Sequence, residues 1–509
     1  MSSHEMQGRQ PPVVVIGAGP TGLSAAYHLG TDGLLIEGRN EVGGWCRSIT
    51  DHGFTFDYAG HIMFTNDPYV LRLYELLLGD NMHWQDREAW IYSKNTYTRY
   101  PFQGALYGLP PDVIKECIVG AIEARFGSVS NPRQGDSTPA TADYTGPERR
   151  GMFEPLLKKK QGGIAGSVRP DYHGTDRRRP VKGPPRNFEE FIYKVWGAGI
   201  AKHFAIPYNQ KLWAVPLSEM ETSWLGGRVP LPNLEEMIDG ALSPVGKPMG
   251  PNARSGYPLR GGFQALMDGF LPHLKGELRL GTQVVEILPK QRSLRTSDGL
   301  TVPYEQLIST MPLPALVKVI GQQAPPEVQA AAAALRHVSV RCVNIGVGRE
   351  ALTEKHWIYY PEDTVFHRIF VQGNASPLCN PPGGFGLTCE ITYSDAKPLP
   401  ADGDELIRRC IDDCIRVGMF TADDPIICAN QVDMPVAYVV YDHDRAANVN
   451  LIRDWVSQYD IILAGRYSEW EYYNSDHAFI AGKKAADQAL AAQQEQFMAF
   501  PRTAALSER

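Results

Sequence analysis

The sequence predicts an α/β protein with a Rossmann-like nucleotide-binding domain, a helical insertion domain and a mixed or antiparallel β-sheet domain. Three observations predict it: a buried strand followed by spaced glycines near the N-terminus, an aromatic-rich helical stretch over residues 188–237, and short strand-like segments over residues 341–395. A chain of 509 residues has room for two or three domains and a large core.

The first element is a predicted strand, Val13–Ile16, whose β-branched run is typical of a parallel strand buried on both faces. Gly17-x-Gly19-x-x-Gly22 follows it and opens a predicted helix. In this spacing the first glycine allows a tight turn, the second lets a diphosphate approach the backbone, and the third permits close helix packing. We therefore expect these glycines to bind a dinucleotide at the positive end of the helix.

A second predicted strand, 34–36, ends at Glu37, where a carboxylate that binds a ribose is expected. Arg39, Gly43 and Gly44 follow. This stretch resembles the one after the ribose acid in flavin-dependent oxidases of the amine-oxidase superfamily, where it lies along the cofactor diphosphate. The resemblance favours FAD over NAD, with a plain connecting loop as the alternative. It also implies that the strand over 283–287, with Val285, contacts the adenine edge.

Composition and charge exclude several classes of protein. The chain has 50 Lys and Arg against 57 Asp and Glu, a net charge of −7, which is too acidic for a dedicated nucleic-acid binder. No apolar run approaches the ~20 residues that span a bilayer, so we expect no membrane span and a cytoplasmic protein. The eight cysteines form no Cys-x-x-Cys pair, and we expect no metal site.

The pattern along the chain, together with the resemblance to the amine-oxidase superfamily, implies a discontinuous organisation. Residues 1–100, 225–312 and 455–509 are expected to form the FAD-binding domain, residues 101–224 a helical substrate domain, and residues 313–454 a β-sheet domain over the flavin. Residues 128–187 are rich in Pro, Gly and Ser, carry 12 Lys and Arg against 6 Asp and Glu, and are expected to be a disordered insertion. The alternative is that its basic runs at 158–160 and 177–179 contact an anionic partner.

The remaining predicted elements are short and alternate in type. The predicted helices cover 69–78, 111–125, 404–417 and 476–493. The predicted strands cover 54–56, 90–92, 283–287, 307–310, 343–347, 357–360, 368–371, 387–392 and 461–463.

Seven segments taken together resemble the UDP-galactopyranose mutases, and are most similar to the longer eukaryotic type. They are Asp-Tyr-Ala-Gly-His-Ile-Met-Phe at 57–64, Tyr-Pro-Phe-Gln at 100–103, and the segments at 207–216, 224–229, 257–262, 357–363 and 465–477. The resemblance implies FAD that is active when reduced, with NADPH or NADH as external electron donor. It implies that N5 of the reduced flavin attacks the anomeric carbon and expels UDP, interconverting UDP-galactopyranose and UDP-galactofuranose without net oxidation.

The resemblance also assigns roles to single residues. Arg368 and Arg466 would hold the diphosphate, which planar guanidinium groups match well. The Gly60 carbonyl would receive the N5 hydrogen of the reduced flavin, and His61 would set the conformation of that loop, although a lone histidine is often structural. Gly465, Asn474 and Ser475 would contact the cofactor. The other expected substrate contacts are Tyr359, Tyr438 and Tyr472 at the phosphates, Tyr100, Phe102 and Gln103 at the uracil, and Asn187, Asn233 and Trp357.

Three positions depart from the family pattern. Ile206 stands where eukaryotic relatives commonly have arginine, Asn374-Ala375 where relatives have a tyrosine, and Phe191 where they have a tryptophan. A lost cation would leave phosphate charge less compensated. Either another residue supplies it, with Arg228 and Lys211 as candidates, or the substrate is a different nucleotide sugar.

Two other functions stay open at this point. One is an ordinary FAD oxidase or dehydrogenase that transfers hydride from an amine or a ring carbon. The other is a flavin-binding protein that has lost catalysis. The expected partner is a nucleotide-sugar substrate, and the sequence leaves the oligomeric state open, a homo-oligomer included.

Overall fold

The structure, a computed structural model, describes residues 13–127, 183–225, 232–245 and 254–499. Most of the predicted insertion, residues 128–182, lies outside these ranges, and so does Arg228. Within the described residues, no helix is both long enough and apolar enough to cross a lipid bilayer.

A five-stranded parallel sheet forms the first layer. Its strands, in spatial order, are Ile461–Leu463, Leu307–Ser309, Val13–Ile16, Gly33–Ile36 and Glu277–Arg279. Alternate side chains of Val13–Ile16 enter two different cores: Val13 and Val15 pack with the first helix, and Val14 and Ile16 pack on the opposite face. The buried β-branched run therefore indicated a sheet covered on both sides, as expected for a parallel sheet.

Helices cover the two faces of this sheet. Pro20–Leu29 and the long C-terminal helix Ser475–Ala499 pack against each other on one face. On the other face lie Leu313–Ile320, Pro326–Ala334 and Arg445–Val456, which share a core with a three-stranded sheet. That sheet contains Val284–Leu288, Ser293–Thr296 and Thr301–Pro303.

A seven-stranded mixed sheet forms the second layer. Its spatial order is Ile426–Val439, His337–Val347, Phe385–Tyr393, Arg368–Phe370, Trp357–Tyr359, Ala89–Ser93 and Thr96–Arg99. Its strands pair antiparallel except at the contact between Trp357–Tyr359 and Ala89–Ser93, which is parallel. The helix Gly403–Arg416 covers one face. Two small two-stranded pairs complete the sheets: Ser48–Asp51 with Phe54–Asp57, and Met82–Asp86 with Arg254–Pro258.

The helical part packs beside these sheets. Helix Pro111–Phe126 contacts a helical run over residues 188–213, which is interrupted at Gly197 with φ +83°. Its segments Ile192–Trp196 and Ala201–Ala205 are π-helical. The other helices in the described residues are Pro68–Leu78, Leu234–Leu242, Gln264–Asp268 and Gln372–Ala375. Short 3-10 turns occupy Gly30–Asp32, Phe102–Gly104, Leu217–Glu219, Ser223–Leu225, Leu271–His273, Pro289–Gln291, Gly321–Gln323, Pro377–Cys379 and Ser457–Tyr459.

The predicted fold class is confirmed: a Rossmann-like domain, a helical part and a mixed sheet are all present. Hydrogen bonding differs from the expected division at one boundary, because Ala89–Ser93 and Thr96–Arg99 belong to the seven-stranded sheet although they precede residue 100. Leu313–Ile320 and Pro326–Ala334 likewise pack in the core of the parallel sheet although they follow residue 312. The three-part division itself stays a proposal.

Candidate functional site

A cavity of about 1400 Å³ lies where the two main sheets and the helical part meet. Small-molecule pockets commonly enclose about 300–1,000 Å³, so this cavity has room for a large ligand and a second molecule beside it. Its walls include Ile16 and Ile36 at the ends of parallel strands, Arg368 and Tyr438 of the mixed sheet, and Trp213 of the helical run.

The glycine motif forms one end of the cavity. Gly17 and Gly19 line it, whereas Gly22 lies outside the lining, where a side chain would overlap the Gly17 carbonyl. Gly44 lines the cavity with φ +58° and lies so close to Gly19 that an added Cβ would be 3.2 Å from the Gly19 Cα. The neighbouring Gly43 is outside the lining, and its N–H donates to the Ala18 carbonyl at 2.8 Å. Glycine residues therefore line the cavity at the start of helix Pro20–Leu29, where a ligand can approach the backbone.

Glu37 stands beside this end with its carboxylate already oriented. Its Oε2 accepts from the Ala18 N–H at 2.7 Å, and its Oε1 accepts from the Arg39 N–H at 2.9 Å. Glu37 lines the cavity, and its oxygens retain lone pairs for ribose hydroxyls. Arg39 is exposed outside the lining, with its guanidinium 5.3 Å from the Trp45 ring centre.

Val285 lines the cavity at an irregularity of the three-stranded sheet. Val284 pairs with Thr296 and Glu286 with Arg295, so Val285 is the extra residue of a bulge. A bulge leaves backbone groups outside the ladder. This backbone is thus free to meet the edge of a base.

A second helix begins at the same cavity. Gly465, Asn474 and Ser475 line it, and Ser475 opens the helix Ser475–Ala499. Two helix N-termini therefore face one space, and their N–H groups and dipoles favour an anionic ligand. Together with the glycines, Glu37 and Val285, this end of the cavity fits a dinucleotide.

The loop with Gly60 and His61 crosses the middle of the cavity. Its backbone is tightly constrained, because Ala59 has φ +74° and a Cβ on Gly60 would lie 2.7 Å from the rings of Phe370 and Trp357. His61 stacks on Phe263 with ring centres 5.1 Å apart.

The protonation state of His61 follows from its surroundings. Its Nδ1 lies 3.1 Å from the Ala59 carbonyl, which can only accept, so Nδ1 carries the hydrogen. Burial lowers the pKa of His61 to about 4, and the nearby charges of Arg466 and Arg368 act in the same direction. His61 is therefore neutral at pH 7.

Arg368 forms part of the mixed-sheet wall. Its Nε donates to Glu390 Oε2 at 2.7 Å, its Nη2 lies 2.6 Å from the same oxygen, and Nη2 donates to the Tyr438 hydroxyl at 3.1 Å. Burial opposes the charge, but Glu390 outweighs it and raises the pKa of Arg368 well above its ordinary value. This guanidinium is charged, and a buried carboxylate compensates it.

Arg466 faces the same space without such compensation. Its Nη1 and Nη2 donate to the carbonyls of Tyr473 and Ala437 at 2.9 and 3.0 Å, and its Nε is buried without a hydrogen-bond partner. Tyr438 and Tyr472 lie beside it with ring centres 5.1 and 4.8 Å from its Cζ. Within the described part of the chain no carboxylate pairs with Arg466.

An aromatic group lies at the far end of the cavity. Tyr100 and Tyr359 line it with ring centres 5.2 Å apart, and Gln103 and Trp357 line it nearby. Phe102 is fully buried against Phe204 and lies outside the lining, so it supports the pocket from behind.

Asn187 and Asn233 are helix caps in the structure. Asn187 Oδ1 accepts from the Glu190 N–H at 2.9 Å, and Asn233 Oδ1 accepts from the Glu235 N–H at 3.0 Å. Neither residue lines the cavity, which differs from the expected nucleotide contacts. Asparagine at the start of a helix is favoured for this capping alone.

The departures from the family pattern fall away from the cavity. Ile206, Phe191, Asn374 and Ala375 lie outside its lining. Lys211 Nζ donates to the carbonyls of Tyr360 and Glu362 and to the Thr364 hydroxyl at 2.8–3.0 Å, also outside the lining. The structure therefore places the Lys211 amine away from the cavity, and Arg228 lies outside the described residues.

Arg87 is a site residue that sequence reasoning missed. It lines the cavity, its Nη2 donates to the Tyr359 hydroxyl at 3.0 Å, and its Nε is buried without a partner. Its Cζ lies 5.1 Å from the Trp357 ring centre, and that of Arg368 lies 5.3 Å from the same centre. No sequence motif marks it, because the contact depends on the parallel pairing of Ala89–Ser93 with Trp357–Tyr359.

One group of potential metal ligands occurs among the described residues. Ligand atoms of Asp51, His52 and Cys428 lie within 4.8 Å of one another. Asp51 already pairs with His52 at 2.7 Å, and His52 is exposed. The group lies outside the cavity and takes no part in the site.

Comparison with known families shows what the cavity belongs to. A model of NAD(P)-binding Rossmann-like domains matches residues 15–77, and a model described as flavin containing amine oxidoreductase matches residues 215–490, more than half of the chain. The chain belongs to the flavin containing amine oxidoreductase family. Its site is therefore that of a flavoprotein, in agreement with the dinucleotide fit of the glycine end.

Three solved structures are similar to this chain over nearly its whole length. A crystal structure of reduced UDP-galactopyranose mutase is 27% identical, with a TM-score of 0.80 and coverage of 95% of this chain and 94% of that chain. A protein assigned as a protoporphyrinogen oxidase in Exiguobacterium sp. 255-15 is 18% identical, with a TM-score of 0.63 and coverage of 95% and 99%. A redesigned putrescine oxidase is 15% identical, with a TM-score of 0.58 and coverage of 95% and 99%. The last two share the fold alone, and the expected similarity to the mutases is confirmed.

Proposed function

We propose that this flavoprotein is a nucleotide-sugar mutase that interconverts UDP-galactopyranose and UDP-galactofuranose. The observation that carries the proposal is Arg466, a guanidinium that faces the cavity with a buried, unsatisfied Nε and no acidic partner in the described residues. A desolvated cation without a counter-charge is costly unless an anionic ligand neutralises it. A diphosphate that leaves a sugar is such an anion.

A reduced flavin supplies an electron-rich ring nitrogen that can act as a nucleophile toward the anomeric carbon. The chain's own residues then hold the diphosphate that departs. Arg466 and Arg368 offer charged donors, and Tyr438 and Tyr472 line the wall between them with hydroxyl groups. Donors fixed before the reaction stabilise developing charge without reorganising, which is the main source of catalysis in such sites.

The Gly60 loop is proposed to orient the flavin's reactive edge through the Gly60 carbonyl. The tight fit of Gly60 against Phe370 and Trp357 restricts movement of the loop that carries this carbonyl. A neutral His61 adds no charge to a cavity that already holds uncompensated guanidinium groups. The loop thus contributes position rather than a titrating acid.

The nucleoside end is proposed to lie against Tyr100, Tyr359 and Gln103. Arg87, whose Nε lacks a partner, provides a second cation at this end. We propose that Arg87 supplies the positive charge that is missing because Ile206 stands where relatives have arginine. Reduction by NADPH or NADH, a cytoplasmic location and the identity of the sugar as galactose belong to the same proposal.

The principal alternative is an oxidoreductase that oxidises an amine or a ring carbon, which the family membership favours. Anaerobic incubation with dithionite and UDP-galactose separates the two. A mutase forms a product of the same mass as the substrate, only when the flavin is reduced, and consumes no further reductant. An oxidoreductase forms no isomer of UDP-galactose, and the absence of that isomer with the reduced protein would refute the proposal.

A further inference from the structure

Glu390 connects two walls of the cavity without lining it. It is fully buried on strand Phe385–Tyr393 and lies directly opposite Arg368 in the antiparallel register. Its Oε2 receives the two hydrogen bonds from Arg368 at 2.7 and 2.6 Å, and its Oε1 accepts from the Gly60 N–H at 3.1 Å. One carboxylate therefore holds both an arginine of the mixed sheet and the loop that crosses the cavity.

These contacts are hard to replace with others. Besides Glu390, Arg368 has one hydrogen bond within the described residues, to the Tyr438 hydroxyl. The loop cannot shift toward the sheet, because the rings of Phe370 and Trp357 already fill the space beside Gly60. Trp357 in turn lies under the Arg368 guanidinium. Loop, ring and arginine thus form one packed unit, and Glu390 is its polar anchor.

We infer that Glu390 is a positioning residue of the reaction: it sets the Gly60 carbonyl and the Arg368 guanidinium relative to each other while it neutralises Arg368. This rests on the proposed mutase function. It follows that the two arginines differ in function. Arg368 is held and neutralised by a carboxylate of the protein, whereas Arg466 remains available for the negative charge of the ligand.

The variant Glu390→Gln tests whether Glu390 orients Gly60 and Arg368, separately from any effect on anion binding. A carboxamide has one acceptor oxygen and one donor nitrogen, so it cannot serve both Gly60 and Arg368 as the carboxylate does. We expect kcat to fall about 100-fold, as a misplacement of about 1 Å can cause. The dissociation constant for UDP should stay within about threefold of wild type or tighten, since the variant leaves more positive charge in the cavity.

Asp433→Asn is the matched control. Asp433 lies in the same sheet, pairs with Arg341 at 2.9 Å through the guanidinium Nε, and is outside the cavity lining. We expect it to leave kcat and UDP affinity unchanged. If Glu390→Gln does not fold, Glu390→Asp keeps the charge and shortens the reach, and the same loss of kcat is expected.

Hydrogen exchange at the Gly60 amide provides a readout that needs no turnover. We expect faster exchange there in Glu390→Gln than in wild type or Asp433→Asn. Wild-type kcat in Glu390→Gln, unchanged exchange at Gly60, or an equal loss of kcat in Asp433→Asn would overturn the inference. The mutase proposal would be refuted instead if exchange at Gly60 differs between the variants as expected, but the wild-type protein neither binds UDP nor isomerises UDP-galactose.

Discussion

The Arg466 guanidinium lies 4.8 Å from the centre of the Tyr472 ring. An aromatic face attracts a cation but does not neutralise it. Arg368, which lines the same cavity, has Glu390 within 2.7 Å, whereas the hydrogen-bond partners of Arg466 in the described residues are carbonyl oxygens alone. This asymmetry makes Arg466 the residue whose removal should affect an anionic ligand most directly.

We expect Arg466→Ala to weaken UDP binding about 10- to 100-fold, the range of one hydrogen bond to a charged group. Binding of uridine, which has no phosphate, should change far less. Calorimetric titration with both ligands measures the two effects. Arg349→Ala, which removes an exposed arginine paired with Asp424, serves as control. An equal loss of uridine and UDP affinity would mean that Arg466 supports the pocket rather than the diphosphate.

Gly44 offers a test of the cofactor site. Its φ of +58° is unfavourable for a residue with a side chain, and an added Cβ would be only 3.2 Å from the Gly19 Cα. Gly44→Ala should therefore purify with little flavin, measured as the ratio of visible to ultraviolet absorbance. Gly383→Ala is the control, since it has φ +77° and open space around it, so it carries a similar backbone cost of about 1–2 kcal/mol away from the cavity. Full flavin content in Gly44→Ala would contradict the placement of the diphosphate.

The lowered pKa of His61 makes stability depend on pH. Its folded-state pKa is about 4 and its ordinary value is 6.5, so the unfolded chain binds the proton more readily in this window. The stabilisation is present above pH 6.5 and is lost as the pH falls toward 4. The difference in thermal midpoint between wild type and His61→Gln should therefore shrink over this interval.

Replacement of the exposed His52 by Gln controls for titration elsewhere in the chain. A wild-type advantage over His61→Gln that stays constant from pH 6.5 to pH 4 would show that His61 titrates normally.

The pKa of Lys211 is lowered by burial, like that of His61, and its effect falls in a higher pH interval. Burial lowers its pKa from 10.5 to about 7, so the folded chain releases this proton at a lower pH than the unfolded chain does. Stability relative to Lys211→Met should thus rise between about pH 7 and about pH 10. UDP affinity should stay unchanged, because Lys211 holds the 360–364 segment rather than the cavity. Loss of UDP affinity in Lys211→Met would restore it as the replacement cation.

Local patterns explain which parts of the site were predictable. Strand Val13–Ile16, the glycines after it and Glu37 lie within one short segment, so their spacing alone determines how they meet. Gly60, Arg368 and Arg466 were accessible through resemblance, and the structure brings them to one cavity. Asn187 and Asn233 were expected to contact the nucleotide, but in the structure they cap helices, a position where asparagine is also favoured.

Long-range pairing explains what was missed. Arg87 and Glu390 reach the site through sheet contacts between segments far apart in the chain, which leave no trace in local sequence. Strand Ile426–Val439 was not predicted, because it lies at a sheet edge, a bulge interrupts its pairing, and its buried and partly exposed positions do not alternate regularly. Its Tyr438 nevertheless reaches the cavity.

The most direct test follows the bond between the anomeric carbon and the diphosphate. UDP-galactose is prepared with oxygen-18 in the bridge to the β-phosphorus, incubated with the reduced protein, and recovered for phosphorus NMR. The account predicts that the label moves from the bridging to the non-bridging positions, because UDP leaves and returns. This exchange should occur with the reduced protein and not with the oxidised protein. A label that stays in the bridge while product forms would contradict it.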